Sequence, residues 1–558
     1  MQEHISIEST ESVNENSTQV DTRRHDLDAL RAFAMLLGIV LHGAMSFIPG
    51  GGVLWGVQDS HANPLYGVLL ASIHGWRMAL FFLVSGFFTA MLWKKRGLRA
   101  LLIHRFKRIF LPLLLSMVTV IPTMWIVSDY LRSQGSAAAF ASPDGEFSDA
   151  EPSGSQSESS NVNVWAAVAT DDQAALKVYL DQGGDVLAKD PYGSTPLHVA
   201  CLFGRGGTAE LLLDADADLE VLNDDGKRPQ DLLELDWATT ASIAQMVQLP
   251  LDQEEVRAGR EEIARAIDEK TGRAVKTALK AGNQTAGEAT LFASLFEFPV
   301  FFHLWFLWFL CLYVGGFALI VKFVRASHVP AIPDKWLLSR LRYLWLIPFA
   351  AAAQYFMARA QYAYGPDTSV GLLPLPAVFA YYAIFFGYGA VYFGASDAEV
   401  VVGRGFVGKL AIAILILFPV GLGLQGPDSV GGRILFAVMQ TSYAWVMSFG
   451  VIGLFHRFCR VPRFWLRYLS DSSYWLYLVH IPLLMVFQFL VRDWLVPSFV
   501  KLSLVCTATT ALLLLSYQFC VRDTWVGLLL NGRRYPKLTA LPTGETVVAK
   551  DETNAMEE

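Results

Sequence analysis

The sequence predicts an all-α polytopic membrane protein of about ten transmembrane helices, with an ankyrin-like helical repeat module inserted between the third and fourth. Three observations carry this. Of 558 residues, 53% are hydrophobic and 17% charged, whereas a soluble globular chain carries about 25% charged residues. Ten stretches approach the roughly 20 apolar residues that cross a bilayer as a helix. A 33-residue self-similarity runs through the long polar interruption. The same composition excludes collagen-like, disordered and disulfide-stapled chains. A net charge of −7 argues against nucleic acid as a partner.

The spans fall at roughly 27–48, 66–93, 106–127, 299–324, 337–358, 374–394, 407–424, 432–455, 472–492 and 499–520. Residues 1–22 are polar and acidic and lack the charged, apolar and small-residue regions of a signal peptide, so the first span is expected to act as an uncleaved anchor. Lysine and arginine then assign the sides. Arg23 and Arg24 precede the first span, and Lys94, Lys95, Arg96, Arg99, Arg105, Lys107 and Arg108 fill the second loop. Further clusters at Lys322–Arg342, Arg404–Lys409, Arg457–Arg467 and Arg522–Lys537 fall on every other loop, while 49–65 and 359–373 hold few cations. Both termini are expected to be cytoplasmic in a cell inner membrane, with the insert outside.

The expected organisation is a polar tail over 1–24, spans one to three over 25–130, a flexible low-complexity linker over 131–160, the insert over 161–290, spans four to ten over 291–535 and a polar tail over 536–558. Within the insert, Asp190-Pro-Tyr-Gly-Ser-Thr-Pro-Leu-His-Val-Ala200 resembles the turn and TPLH opening of an ankyrin helix pair. Thirty-three residues on, Gly226 and Pro229 match Gly193 and Pro196, and 33 back, Ala167 matches Ala200. About three repeats is the minimum that buries a continuous core. A charged helical segment is expected at 252–282, and the module offers a surface for a protein partner.

Ionisable side chains inside spans are costly and point to function. Arg31 and His42 are eleven residues apart, about 1100° of helical rotation, so they share one face about 16 Å apart. An imidazole there can take a proton from a hydroxyl at neutral pH. The spacing equally suits an interhelical histidine and a snorkelling arginine. Arg105 and Arg108, at i and i+3, make a fork for phosphate or carboxylate, or serve as cytoplasmic anchors. His74 and Arg77 lie near the outer end of the second span, with Ser85 eleven residues from His74 on nearly the same face. Packing suffices for Ser85 and Gly86, but explains a charged Arg77 less well. His303 opens the fourth span, whose tryptophans suit an interfacial aromatic belt, and His480 sits mid-span two residues before Pro482, where a structural role serves as well as a functional one.

Other patterns fail. Gly421, Gly423 and Gly426 fit GxGxxG but follow an apolar helix rather than a strand, and no Walker A, HExxH, GxSxG or CxxC occurs. No metal site and no bound cofactor are expected. The five cysteines make no disulfide framework.

Taken in order along the spans, these residues resemble the membrane-bound acyltransferase-3 family. The resemblance rests on Leu27-Asp-Ala-Leu-Arg-Ala32 with Arg31 and His42, on Arg105 and Arg108, on Phe81-Phe-x-x-Ser-Gly86, on His303-Leu-Trp-Phe, and on Tyr477-Leu-x-His480. Ile73-His-Gly-Trp-Arg-Met78 and Phe449-Gly-x-x-x-Leu-Phe-His-Arg457 look like its glucans biosynthesis protein C branch. The resemblance implies transfer of an acetyl or succinyl group from cytoplasmic acyl-CoA to a glycan hydroxyl across the membrane. His42 and Arg31 would be catalytic, and Arg105 and Arg108 would hold the CoA moiety. His74, Arg77 and Ser85 would line the acceptor side, with Asp28, His303 and His480 as further candidates. The insert departs from that branch and leaves the acceptor open. Two other functions suit intramembrane histidine and arginine or the repeat: a transporter or flippase of an acyl or glycan unit, and a membrane-anchored interaction protein.

Overall fold

The computed structural model describes residues 24–49, 55–141, 164–190, 193–223, 226–246, 249, 251–272, 295–296, 298–326, 332–357, 364–395, 397, 399–424, 429–461 and 463–531. Helices joined by turns and irregular segments make up these residues, and no strand occurs among them. The chain is an all-α polytopic membrane protein. Its first three membrane helices are α1 (His25–Ala44), α2 (Leu65–Arg105) and α3 (Leu111–Ala141). The insert contributes α4 (Val164–Ala169), α5 (Gln173–Asp181), α6 (Pro196–Phe203), α7 (Gly206–Asp214), α8 (Trp237–Met246) and α9 (Gln253–Thr271). The membrane region resumes with α10 (Trp305–Ala326), α11 (Asp334–Leu338), α12 (Arg342–Met357), α13 (Pro376–Gly394), α14 (Phe406–Ile412) and α15 (Phe418–Gly423). It ends with α16 (Val430–Phe458), α17 (Phe464–Val491), α18 (Ser498–Ser516) and α19 (Trp525–Asn531).

Eight helical stretches among the described residues are long and apolar enough to cross a bilayer. One of them, Leu65–Ser128, runs for 64 residues, about 96 Å of helix and three times the hydrocarbon thickness. It breaks within α2 at Gly97, whose φ of 79° only glycine adopts at no cost, so the stretch holds two spans, one before Gly97 and one after it. The fifth expected span is α12, shorter than expected at 16 residues. The expected linker also begins later, because α3 continues to Ala141; residues 142–160 lie outside the described ones.

Lipid offers no hydrophobic drive between helices, so close packing must hold them. Along α2 and α13, a Cβ on Gly86 would overlap the carbonyl of Phe386, and one on Gly389 would overlap that of Leu83. These two glycines let the backbones touch. Beside them Phe82 packs against Tyr382, Phe306 and Tyr313 at centroid distances of 4.7, 4.8 and 5.3 Å. Large apolar side chains such as Val118, Leu415 and Phe519 face outward and are exposed, as lipid contact requires.

Polar contacts fix the ends. Asp26 is buried at the start of α1 and accepts from Arg24 at 2.8 and 2.9 Å, while His456 Nδ1 at the end of α16 lies 2.9 Å away. At the other end Lys501 of α18 is fully buried and pairs with both Asp59 oxygens at 3.0 Å. The first and eighth spans thus meet N-terminus to C-terminus, as alternating crossings require.

In the insert, α6 and α7 form one complete repeat opened by a reciprocal Thr195–His198 capping box. The next unit is degraded, its first helix reduced to a 3-10 turn over Pro229–Glu234. The charged segment is α9, ending at Thr271 rather than 282; residues 273–282 lie outside the described ones. It caps the module through the buried Arg260 guanidinium, which donates to the carbonyls of Leu235 and Leu202 at 2.6 Å and of Cys201 at 3.3 Å. Burial pushes the Cys201 thiol up to about 12, which leaves it unreactive.

Candidate active site

Two clusters lie along α1, separated by the span from Arg31 to His42. At the Arg31 end, its Nη2 donates to Ser470 Oγ of α17 at 3.2 Å and lies 3.7 Å from Asp28. Arg105, at the end of α2, donates to Thr89 Oγ1 at 3.1 Å and leaves its buried Nε without a partner. Arg31 and Arg108 are both near enough to repel it. A π-helical turn over Phe106–Phe110 widens the chain between the two arginines of the fork. Three guanidiniums gathered near one end of α1 are a pattern that suits a phosphate or carboxylate.

At the other end, His42 stacks on Trp55 with centroids 5.5 Å apart and rings 5° from parallel. His480 of α17 lies 5.2 Å from His42, and His303 lies 5.7 Å from His480. Backbone carbonyls fix the tautomers, because a carbonyl can only accept. His480 Nδ1 lies 2.8 Å from the Tyr477 carbonyl and His303 Nε2 lies 3.2 Å from that of Leu478. In the neutral rings those nitrogens carry the proton, so His480 Nε2 and His303 Nδ1 present lone pairs. Both are buried and unpartnered, as is His42 Nδ1. The rings are not arranged to hold a metal ion among the described residues.

Arg77 enters this cluster from α2. A Cβ on Gly38 would overlap the Arg77 guanidinium, so the absence of a side chain at Gly38 lets the charge pack onto α1. Its Nε is buried without a partner, and no carboxylate pairs with it among the described residues. Gly38 is about 6 Å from His42 toward Arg31. Arg77 therefore lies between His42 and the arginine cluster, not outside His42 as expected. Ser85 lies further along α2, where its carbonyl accepts from Thr89, the partner of Arg105; it belongs with the arginines rather than with His74. His74 is held through Nε2 to the Pro366 carbonyl at 2.9 Å.

Trp55, Gln488, Thr89, Ser470 and Asp367 are the contributors the sequence reading missed. A scan for charges in spans passes over neutral partners, and Asp367 sits in a loop. Burial pushes its carboxyl up to about 6 from an ordinary 3.8. The neutral acid is therefore favoured in the fold, and its contribution is complete below pH 3.8 and lost as pH rises through about 6. Asp367→Asn, neutral at every pH, is expected to melt higher than the native chain at pH 8 and equally at low pH. The gap is at most about 3 kcal/mol, and thermal unfolding at the two pH values measures it.

A polytopic helical bundle with a basic cluster at one end of a helix and histidines at the other is a membrane protein whose buried ionisable groups point to function. The family model described as acyltransferase domain matches residues 24–159 and 272–518. The chain belongs to that family, the membrane-bound acyltransferase-3 family expected from its motifs. An ankyrin-repeat model matches residues 192–224. Glucans biosynthesis protein C of Escherichia coli (strain SMS-3-5 / SECEC) is 29% identical over 112 residues, 20% of this chain and 28% of that protein. Protein phosphatase 1 regulatory subunit 27 of Homo sapiens is 37% identical over 71 residues, 13% of this chain and 46% of that protein. The chain thus spans less than half the length of these curated relatives. No solved structure matches it.

Proposed function

We propose that this membrane acyltransferase moves an acetyl or succinyl group from acyl-CoA to a hydroxyl of a glucan or related glycan across the membrane. The observation that carries the reading is the buried, carboxylate-free Arg77 guanidinium beside histidine nitrogens that present lone pairs. An unpaired cation in a bundle is costly to keep, and a developing oxyanion is the partner it suits.

Acyl-CoA is the donor substrate. Its phosphates would lie on Arg105, Arg108 and Arg31, and the roughly 16 Å along α1 to His42 would be crossed by the extended pantetheine arm. His42 takes the proton of the acceptor hydroxyl as its oxygen attacks the thioester carbonyl. The oxyanion of the tetrahedral intermediate faces Arg77. Collapse breaks the C–S bond, His42 returns the proton to the departing sulfur, and the products are a glycan ester and free CoA thiol. The alternating cations favour cytoplasmic termini in an inner membrane, with the insert outside, where its repeat would recruit a protein partner.

Purified protein in nanodiscs, given acetyl-CoA or succinyl-CoA with a β-glucan, is expected to release free thiol only when donor and acceptor are both present. Thiol release indifferent to the acceptor, or glycan movement in proteoliposomes without any acyl donor, would overturn the transferase reading in favour of transport.

A further inference from the structure

Gln488 of α17 is buried, eight residues beyond His480 on the same helix. Its amide nitrogen donates to the carbonyls of His42 and Gly43 at 3.2 and 2.9 Å. Its Oε1 accepts from the indole N–H of Trp55 at 2.7 Å. Trp55 in turn lies flat against the His42 ring. These contacts close a circuit of His42 backbone, Gln488, Trp55 and His42 imidazole, drawn from α1, α17 and the loop between α1 and α2.

We infer that Gln488 and Trp55 are positioning residues for His42: the amide fixes where the end of α1 sits, and the indole fixes the plane of the imidazole. Helix α1 ends at Ala44, so the carbonyls of His42 and Gly43 are among the four that lack the full intrahelical pairing. A glutamine that served only as a cap would satisfy them and stop there. This one also holds the indole that stacks on the ring. The loop bearing Trp55 is itself anchored, because Lys501 pairs with Asp59 and donates to the Arg492 carbonyl at 2.7 Å. Trp55 is therefore tied to the anchored end of the loop, and the His42 ring it stacks on lies 5.2 Å from His480. Such support matters because a displacement of about 1 Å at a reacting group costs on the order of a hundredfold in rate, and partners behind a functional histidine are worth roughly 10- to 100-fold in metal sites.

The inference rests on His42 being the base, and its test separates the two. Gln488→Leu, Trp55→Ala and Trp55→Phe are compared with the native chain and with His42→Ala in nanodiscs, following acceptor-dependent thiol release across pH. Gln488→Leu and Trp55→Ala are expected to lower kcat at least tenfold, to move the acidic limb of the pH profile, where the base becomes protonated, and to leave the KM for acyl-CoA unchanged. Trp55→Phe keeps a stacking ring without the N–H and is expected to fall between. The double variant Gln488→Leu with Trp55→Ala should be no worse than the weaker single, because both break one circuit. Native kcat and pH profile in Trp55→Ala, with His42→Ala inactive, overturn the positioning role and leave the base reading intact. A fall in folded yield with native kcat per folded molecule overturns it as well, since that is what a cap alone predicts. Trp55→Phe conserves most of the volume and reports even where Gln488→Leu does not fold. Native activity in His42→Ala overturns the base reading, and this inference with it.

Discussion

His42→Ala is expected to lower acceptor-dependent thiol release by 10²- to 10⁴-fold, the range of a positioned general base, while acyl-CoA still binds. The separation follows from geometry. The groups proposed to hold the donor, Arg31, Arg105 and Arg108, lie about three helical turns from His42, and none of their described partners is shared with it. Removing the imidazole therefore leaves the anion site as it is. Donor binding measured directly, by calorimetry or by displacement of a labelled CoA, should stay within about twofold of native. His480 and His303 do not replace His42 in this expectation. Neither of those rings is stacked on Trp55, and neither lies on α1, where His42 shares a face with Arg31. A variant that keeps native turnover would remove His42 from the reaction and move the base to one of those two rings.

What could be read in advance was what one helix decides alone. The shared face of Arg31 and His42 follows from 3.6 residues per turn, and the arginine fork follows from i and i+3 spacing. Both are local. The span count was legible for the same reason, since length and apolarity need no partner. Residues brought together from different helices were not legible. His42, His303 and His480 come from α1, the start of α10 and the middle of α17, and no spacing links them. Arg77 was assigned a depth from its place on α2. The packing of its guanidinium on Gly38 reverses the order, because a long side chain need not stay at the depth of its own Cα. Gln488 escaped notice since a neutral amide in an apolar run gives no charge signal, although burying it is costly unless every polar atom is met.

The second large effect expected is at Arg77, and it has two signs. An unpaired guanidinium inside the bundle works against folding, because desolvation of the charge is not returned by any carboxylate. The native chain keeps it packed against Gly38 and near the hydroxyls of Tyr382 and Tyr477, contacts that soften the loss without removing it. Arg77→Met retains the length and most of the apolar stem, so the site near Gly38 stays filled. The variant is therefore expected to unfold at a temperature equal to or above that of the native protein. Its turnover is expected to fall by 10²- to 10³-fold, the measured worth of one preorganised donor to an oxyanion. The KM for acyl-CoA should hold, since the charge acts when the carbonyl becomes tetrahedral and not when the phosphates bind. Thermal unfolding and steady-state thiol release on the same nanodisc preparation measure both quantities. A guanidinium kept only for structure predicts the opposite pair, with lower unfolding temperature and native turnover per folded molecule. Stability gained as catalysis is lost would mark Arg77 as a charge retained at the expense of the fold because the reaction needs it.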